Sequence, residues 1–166
     1  MSVSVTGTDT KALVVVRPTT ITPDNLLSTN LAFSYYEPWS PTKDYAKGDR
    51  IASHTTLSVY ESVTSDNTGN DPLDKGSSDW VRVGPVNQFA AFDASTSTAT
   101  FSSDDINYVI NPGQSINCVS FLDFSGVRQI TVTLRSGQAQ DDPLVYQKII
   151  ETGSYSISSS WWGFFF

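Results

Sequence analysis

The side chains that most often carry catalysis are sparse in this chain of 166 residues, which has one histidine, His54, and one cysteine, Cys118. A catalytic base or a metal centre needs partner residues at suitable spacing, and neither residue has a second of its kind. Serines are numerous, but none lies in the Gly-x-Ser-x-Gly turn that presents a hydrolase nucleophile. The sequence therefore predicts no catalytic site, no metal site and no cofactor, and we expect the chain not to be an enzyme.

The loop DNTGNDPLD, residues 66–74, brings several acidic residues close together, as calcium-binding loops do. An EF-hand loop needs acids at alternate positions, a glycine at the sixth and a glutamate at the twelfth, and this loop lacks that order. Its Gly, Asn and Pro content is typical of turns. We interpret it as a connecting loop. No pair among the 17 acidic residues is distinguished as a catalytic pair.

The aromatic residues are more informative than the polar ones. Trp39, Tyr45, Tyr60 and Trp80 lie among short apolar runs and turns. They could form either a small core or a surface that stacks on sugar rings. Because aromatic rings bury large areas, four of them can stabilise a unit too small for an aliphatic core. We predict a core, with contact to a glycan as the alternative.

The composition favours strands over helices. The chain has 24 Ser and 18 Thr, and 14 of its 17 acidic residues are Asp. Asp, Ser and Thr compete with helical hydrogen bonds and prefer caps and turns, whereas Glu favours helix interiors. The formal net charge is -7, without a basic run. Nucleic acid is therefore excluded as an expected partner, because phosphate binding needs clustered Lys and Arg.

No apolar run is long enough for a membrane helix, and we expect no membrane insertion. The N-terminal run, ALVVV at residues 12–16, is short and predicts a strand. Cys118 lies in the alternating run SINCVSFL, which predicts a small buried side chain there. A lone thiol also suits folding in a reducing cytosol.

Short strands separated by turn residues predict an all-β fold with little helix. We expect an N-terminal strand and linker (1–37), a small antiparallel β module (38–86) and a jelly-roll-like β-sandwich (87–166). In RQITVTL, Ile130, Val132 and Leu134 alternate with threonines, as in a half-buried strand. Further strands are predicted at LAFSYY (31–36), DRIASH (49–54), TLSVYESV (56–63), WVRVG (80–84), NQFAAF (87–92), NYVI (107–110), INCVSFLDF (116–124), PLVYQKII (143–150) and SYSIS (154–158).

Residues 38–86 resemble the small chitin-binding-type β module of many chitinases. The resemblance is carried by WSPTKDYAKGDRI, SVYES, NDP and DWVRVG. In that family an aromatic pair normally follows the Val-Tyr strand and stacks on sugar rings. Thr64 and Ser65 stand at the matching places here, so the usual sugar platform is missing.

Nearly the whole chain resembles a family of tailed-bacteriophage structural proteins. The additional motifs are TPDNLLSTNL, NQFAAFD with Thr100 after it, NPGQSINCVSFLDF, VRQITVTL, LVYQK and WWGFFF. The resemblance implies a virion protein of the tail, baseplate or fibre-anchoring region, assembled in the bacterial cytoplasm and acting without catalysis. Three interpretations of the terminal run WWGFFF stay open: an edge strand that closes the sandwich, a contact with another subunit, or a truncated piece, since many relatives continue beyond the Phe-Phe segment.

The expected partners are other virion proteins and further copies of the same chain, with a host glycan as the alternative. We predict that a second group of aromatic residues packs between layers or between subunits. These residues are Phe89, Phe92, Trp161, Trp162, Phe164, Phe165 and Phe166.

Overall fold

The computed structural model describes residues 19–152, except 94, 96, 117, 122, 138 and 140. The fold is all-β, with small antiparallel sheets and one short 3-10 helix in the described residues, which confirms the predicted class. The strands are β1 (Leu26–Thr29), β2 (Asp44–Tyr45), β3 (Arg50–Ser53), β4 (Ser58–Ser62), β5 (Asn67–Thr68), β6 (Trp80–Pro85), β7 (Tyr108–Ile110), β8 (Gln129–Arg135) and β9 (Leu144–Glu151).

The main sheet has the order β3-β4-β6, with both pairs antiparallel. Its strands coincide with the predicted runs DRIASH, TLSVYESV and WVRVG. β2 and β5 form a second, two-stranded sheet, and β1 pairs with β7 in a third. The pairing of β1 with β7 joins residues that are about eighty positions apart, because Thr29 lies opposite Tyr108.

A tight turn leads from β2 into β3, in the sequence AKGD. The backbone N–H of Ala46 donates to Asp49 Oδ2 at 2.9 Å, and the N–H of Asp49 donates to the Ala46 carbonyl at 3.0 Å. Gly48 has φ 93°, a left-handed conformation that side chains with a Cβ rarely adopt. The glycine in the Gly-Asp pair is therefore required by backbone geometry.

One apolar core crosses both predicted boundaries of the small module. Its buried members are Ala52 and Val59 from the main sheet, Val86 at its end, and Phe89 beyond it. Ile21, Leu26, Phe33, Leu57 and Phe92 pack against these four. Residues 19–37 and 86–92 therefore share a core with the module.

Two predicted strands near this core are wrong. Residues 31–36 form no strand, although Leu31 is buried. NQFAAF, also predicted as a strand, is a 3-10 helix from Asn87 to Phe92. Alanines at 90 and 91 lack the β-branched or aromatic side chains that favour a strand. The Gln88 side chain donates to the Leu31 carbonyl at 3.0 Å, which further anchors the helical turn.

In the second half of the chain, β8 and β9 form an antiparallel hairpin, as the two runs predict. Ile130, Val132 and Leu134 alternate with exposed neighbours, as predicted. In the described part of residues 87–152, however, the two facing sheets of the predicted sandwich are not seen. The jelly-roll-like arrangement stays a prediction for the complete region.

The predicted strand at 116–124 is wrong for the residues described there, which have no regular structure. Cys118 is exposed, contrary to the expected burial. Asp123 has φ 48°, which interrupts any extended run. Alternation of apolar residues was therefore insufficient to form a strand here, where none of the described strands lies alongside to supply hydrogen bonds.

Several predicted features lie outside the described residues. They are the ALVVV strand, the SYSIS strand and the terminal aromatic residues Trp161, Trp162, Phe164, Phe165 and Phe166. Within the described part of the chain, no helix has the length and apolar character that a membrane span requires.

Candidate functional site

The four aromatic residues of the small module lie together. Tyr45 and Trp80 are buried with Ile51, and Trp39 and Tyr60 pack against this group. The rings of Tyr45 and Trp80 meet edge to face, with centroids 5.0 Å apart and planes at 73°. This geometry is favourable for aromatic pairs. Tyr45 is 1% exposed and Trp80 7%, so neither ring presents a face to a sugar.

The polar ends of these two rings have partners inside the protein. The Trp80 indole N–H donates to the Asn70 carbonyl at 2.9 Å. The Tyr45 hydroxyl accepts a hydrogen bond from the Ser40 backbone N–H at 2.8 Å. Both contacts tie the loops at 38–43 and 66–79 to the aromatic core. These residues hold the module together and leave little polar capacity for a ligand.

A buried polar group lies beside the aromatic core, and no sequence pattern had indicated it. Asn67 and Ser62 are each 1% exposed. The Asn67 amide donates to Ser62 Oγ at 2.9 Å and to the Asp79 carbonyl at 3.3 Å. Ser62 Oγ donates in turn to the Thr64 carbonyl at 2.9 Å. Satisfied buried polar groups of this kind fix one arrangement of the loops.

Thr64 and Ser65, which stand where the sequence resemblance predicted a sugar platform, are polar residues. Thr64 is half-buried, and its hydroxyl donates to Asp79 Oδ1 at 3.3 Å. Ser65 is exposed. Neither side chain offers a ring on which a sugar could stack.

Trp39 borders a small cavity of about 180 Å³, whose lining does not include Thr64 or Ser65. The cavity is lined by Pro38, Trp39, Ile51, Ala52, Ser53, His54, Asp71, Pro72 and Leu73. Trp39 is half-buried, and its indole Nε1 has no hydrogen-bond partner among the described residues. The cavity therefore combines apolar walls with the polar groups of Asp71, His54 and Ser53.

The one histidine lies at the edge of this cavity, in the turn between β3 and β4. Its ring stacks on Phe33, with centroids 3.8 Å apart and planes at 6°. Within the described residues, no three His, Cys, Asp or Glu side chains are grouped in a way that could hold a metal ion. His54 thus has a packing contact, and its surroundings include no described cluster of metal ligands.

The surroundings of Tyr108 and Arg50 shift the pKa values of these two residues. Burial raises the pKa of the Tyr108 phenol, an effect that the hydrogen bond with Thr100 partly offsets. Hydrogen bonds from Arg50 to the Tyr36 hydroxyl and to Glu61 raise the pKa of the arginine. The Arg50–Glu61 ion pair is 2.7 Å long and partly exposed. Neither group lines the cavity beside Trp39.

Phe89 and Phe92 lie at the end of the small module. Phe89 is buried in the shared core, and Phe92 packs against it. The Phe92 ring meets Tyr108 of β7 edge to face, with centroids 4.8 Å apart. The two phenylalanines therefore connect the main sheet with the sheet formed by β1 and β7.

The network around Asn87 strengthens the same connection. Asn87 is buried, and its side chain donates to the Phe101 carbonyl at 3.1 Å and accepts from the Phe101 N–H at 2.8 Å. Thr100, a residue of the virion-protein resemblance, donates its hydroxyl to the Asn87 carbonyl at 2.8 Å. The Asn87 side chain was missed at the sequence level, because its partners are distant along the chain.

The β8–β9 hairpin has a different character. Leu144, Val145, Tyr146 and Ile149 of β9 are between 49% and 66% exposed. β8 and β9 form a sheet of two strands, and no other described strand pairs with either. The hairpin thus presents apolar side chains and two open strand edges, which are features of a surface for protein association.

The chain matches no protein-family model, and searches of curated proteins and of solved structures found no significant match.

Proposed function

We propose that the chain is a structural protein of a tailed-bacteriophage particle, in the tail, baseplate or fibre-anchoring region, and that it acts by protein–protein assembly. The observation that carries the proposal is the β8–β9 hairpin, whose apolar residues are exposed although the two strands pair with each other over almost their whole length. A two-stranded hairpin is marginally stable in water, and exposed apolar area favours a protein partner. The sequence resemblance to virion proteins supplies the identity of the assembly.

The arrangement of the small module supports a scaffolding role. Its two most buried rings, Tyr45 and Trp80, contact each other and the surrounding loops. Such a unit positions surfaces and requires no catalysis. In this proposal, the protein folds in the host cytoplasm and functions in the virion.

The test is to locate the chain in purified particles. Mass spectrometry of density-purified phage should detect it at a fixed copy number relative to the major tail protein, and immunogold labelling should place it on the tail. Free protein from the lysate is the control for carry-over. Absence from washed particles, or a copy number that varies between preparations, would contradict the proposal.

The alternative function is binding of a host-surface glycan, which the cavity beside Trp39 favours. Apolar walls with a few polar groups are typical of small-ligand sites. Here Trp39 and Leu73 provide apolar surface and Asp71 provides a hydrogen-bond acceptor.

Retention on chitin and on host polysaccharide tests this alternative. Trp39→Ala should abolish retention while leaving the circular dichroism spectrum unchanged. Tyr35→Ala is the matched control, because Tyr35 is 63% exposed and does not line the cavity. If the wild-type protein is not retained, the alternative is rejected. It is also rejected if the Trp39 variant unfolds, because the ring then belongs to the core.

A further inference from the structure

Among the described strands, none pairs with the outer edge of β8, and this edge lacks the features that normally prevent association. Its central residues, Ile130 to Leu134, include no charge, proline or glycine. Natural proteins protect open edges with Lys, Pro or a β-bulge, and an unprotected edge is a template for pairing with another strand. β9 carries Lys148 near its middle, and the register shifts between its residues Tyr146 and Leu144. The edge of β8 is therefore less protected against pairing with another strand than the edge of β9.

The hydrogen bonds that flank the hairpin show which backbone groups point outward from β8. The Thr152 N–H donates to the Arg128 carbonyl at 2.9 Å, and the Ser136 N–H donates to the Pro143 carbonyl at 3.0 Å. Since inward and outward groups alternate along an antiparallel strand, the even-numbered residues of β8 face β9. The N–H and C=O groups of Gln129, Thr131, Thr133 and Arg135 consequently face away from it.

We propose that β8 pairs antiparallel with β8 of a second copy, around a two-fold axis at Val132. This register places Thr131 opposite Thr133 of the partner and Gln129 opposite Arg135 of the partner. Every outward-facing N–H and C=O of β8 then meets an outward-facing group of the other copy. Because the side-chain period is two, the same register keeps Ile130, Val132 and Leu134 on one face of a continuous sheet.

The side chains also fit this register. Val132 faces its own copy at the axis, Ile130 faces Leu134, and Thr faces Thr on the other face; apolar and Thr–Thr cross-strand pairs are favourable. Pairing of β9 with itself about an axis at Lys148, the register that joins residues 145–151, would place Lys148 against Lys148, and directly opposed like charges are destabilising. An axis at Gln147 would instead bring the register shift between Leu144 and Tyr146 into the pairing. The sequence therefore favours the β8 edge over the β9 edge for a symmetric dimer.

This inference rests on the proposed assembly function, for which it names the first partner as a second copy of the chain. The sharpest test uses Val132→Glu in the full-length protein. Val132 lies opposite Lys148 within the hairpin, so the new carboxylate gains an opposite charge in its own chain. Across the two-fold axis it meets a second carboxylate. Like-charge contact in an interface costs several kcal/mol, so the dimer association constant should fall by at least about tenfold.

A charge-reversed partner provides the matched rescue. The double variant Val132→Lys with Lys148→Glu keeps opposite charges within the hairpin but repels its own copy. Each variant alone should sediment as a monomer, whereas an equimolar mixture should form heterodimers, detectable by native mass spectrometry with one isotope-labelled component. Lys148→Glu alone is the control, because it changes a charge on the same face away from the axis, and it should remain dimeric.

Amide exchange distinguishes a second copy from another occupant of the edge. The N–H groups of Thr131 and Thr133 should exchange more slowly as the wild-type concentration rises, and rapidly at all concentrations in Val132→Glu. A wild-type monomer, or protection of these amides that is independent of concentration, would overturn the inference. Particles that contain a chain monomeric in solution would overturn the dimer and leave the assembly function intact.

Discussion

The small module and the β8–β9 hairpin are both antiparallel, yet they differ in what covers their side chains. In the module, Ile51, Val59 and Trp80 are buried by residues from other elements. In the hairpin, Tyr146 and Ile149 remain about half exposed, although the pairing extends over almost the whole of β8 and β9. Extensive hydrogen-bond pairing between two strands therefore does not imply that their side chains are buried.

The difference teaches that hydrogen-bond pairing and burial are specified by different parts of the sequence. Alternation within a strand determines which side chains share a face. Burial of that face depends on residues that are distant in the chain, such as Phe33 and Phe89 in the module. Around the hairpin, the described part of the chain places no such residues in either core cluster.

The largest expected effect is that of Trp80→Ala. Loss of the buried indole and its hydrogen bond to Asn70 should lower the free energy of unfolding by about 3–5 kcal/mol. Urea denaturation followed by circular dichroism measures this change. Val145→Ala in the hairpin is the contrasting variant, because Val145 is 66% exposed, and it should cost less than about 0.5 kcal/mol. Similar losses of unfolding free energy in the two variants would contradict the difference in burial between the module and the hairpin.

A smaller effect is expected for Asn67→Ala. The substitution removes an amide that donates to Ser62 Oγ and to the Asp79 carbonyl and accepts from the Asn70 side chain, so three hydrogen bonds are lost. Such losses cost about 1–3 kcal/mol. Ser65→Ala is the control, since Ser65 is exposed in the neighbouring loop and takes no part in this network. If both variants have the same urea midpoint, the buried network does not stabilise the module.

The smallest expected effect concerns pH and Tyr108. Burial raises the pKa of this phenol, so the folded chain keeps the proton to higher pH than the unfolded chain does. The resulting stabilisation is fully present below about pH 10 and is lost as the pH rises through the folded pKa. Tyr108→Phe should therefore flatten the alkaline decline in unfolding free energy.

Urea midpoints measured between pH 8 and pH 11, a range chosen around the usual tyrosine pKa of about 10, test this prediction. Tyr146→Phe removes a hydroxyl from the exposed hairpin and serves as the control. If unfolding free energy declines with pH as steeply in Tyr108→Phe as in the wild type, burial of the Tyr108 ring does not cause the decline.

The all-β class and most strands were predictable from local signals. Runs such as RQITVTL and TLSVYESV combine β-branched residues with alternation, and turns between them contain residues that require special backbone angles, such as Gly48. The run INCVSFLDF has similar local properties and forms no strand in its described residues. Strand formation needs a neighbouring strand, which a local pattern cannot supply.

The candidate site was only partly predictable. A common cluster was indicated for Trp39, Tyr45, Tyr60 and Trp80. Large aromatic rings in one short segment can bury their apolar area against each other. The buried Asn67 and Asn87 could not be recognised, since an asparagine in a polar segment looks like a turn residue. Their role depends on carbonyl groups brought near by the tertiary fold.

The core shared across residues 37 and 86 limits how the small module can be exchanged between proteins. A gene segment that encodes residues 38–86 alone would carry Ala52 and Val59 without Phe33 and Phe89, which cover them. If residues 38–86 were transplanted alone, the apolar surface around Ala52 and Val59 would be exposed, and we expect the segment to aggregate. Recombination or engineering must therefore transfer the flanking segments together with the module. Otherwise the recipient protein must supply other apolar residues that cover Ala52 and Val59.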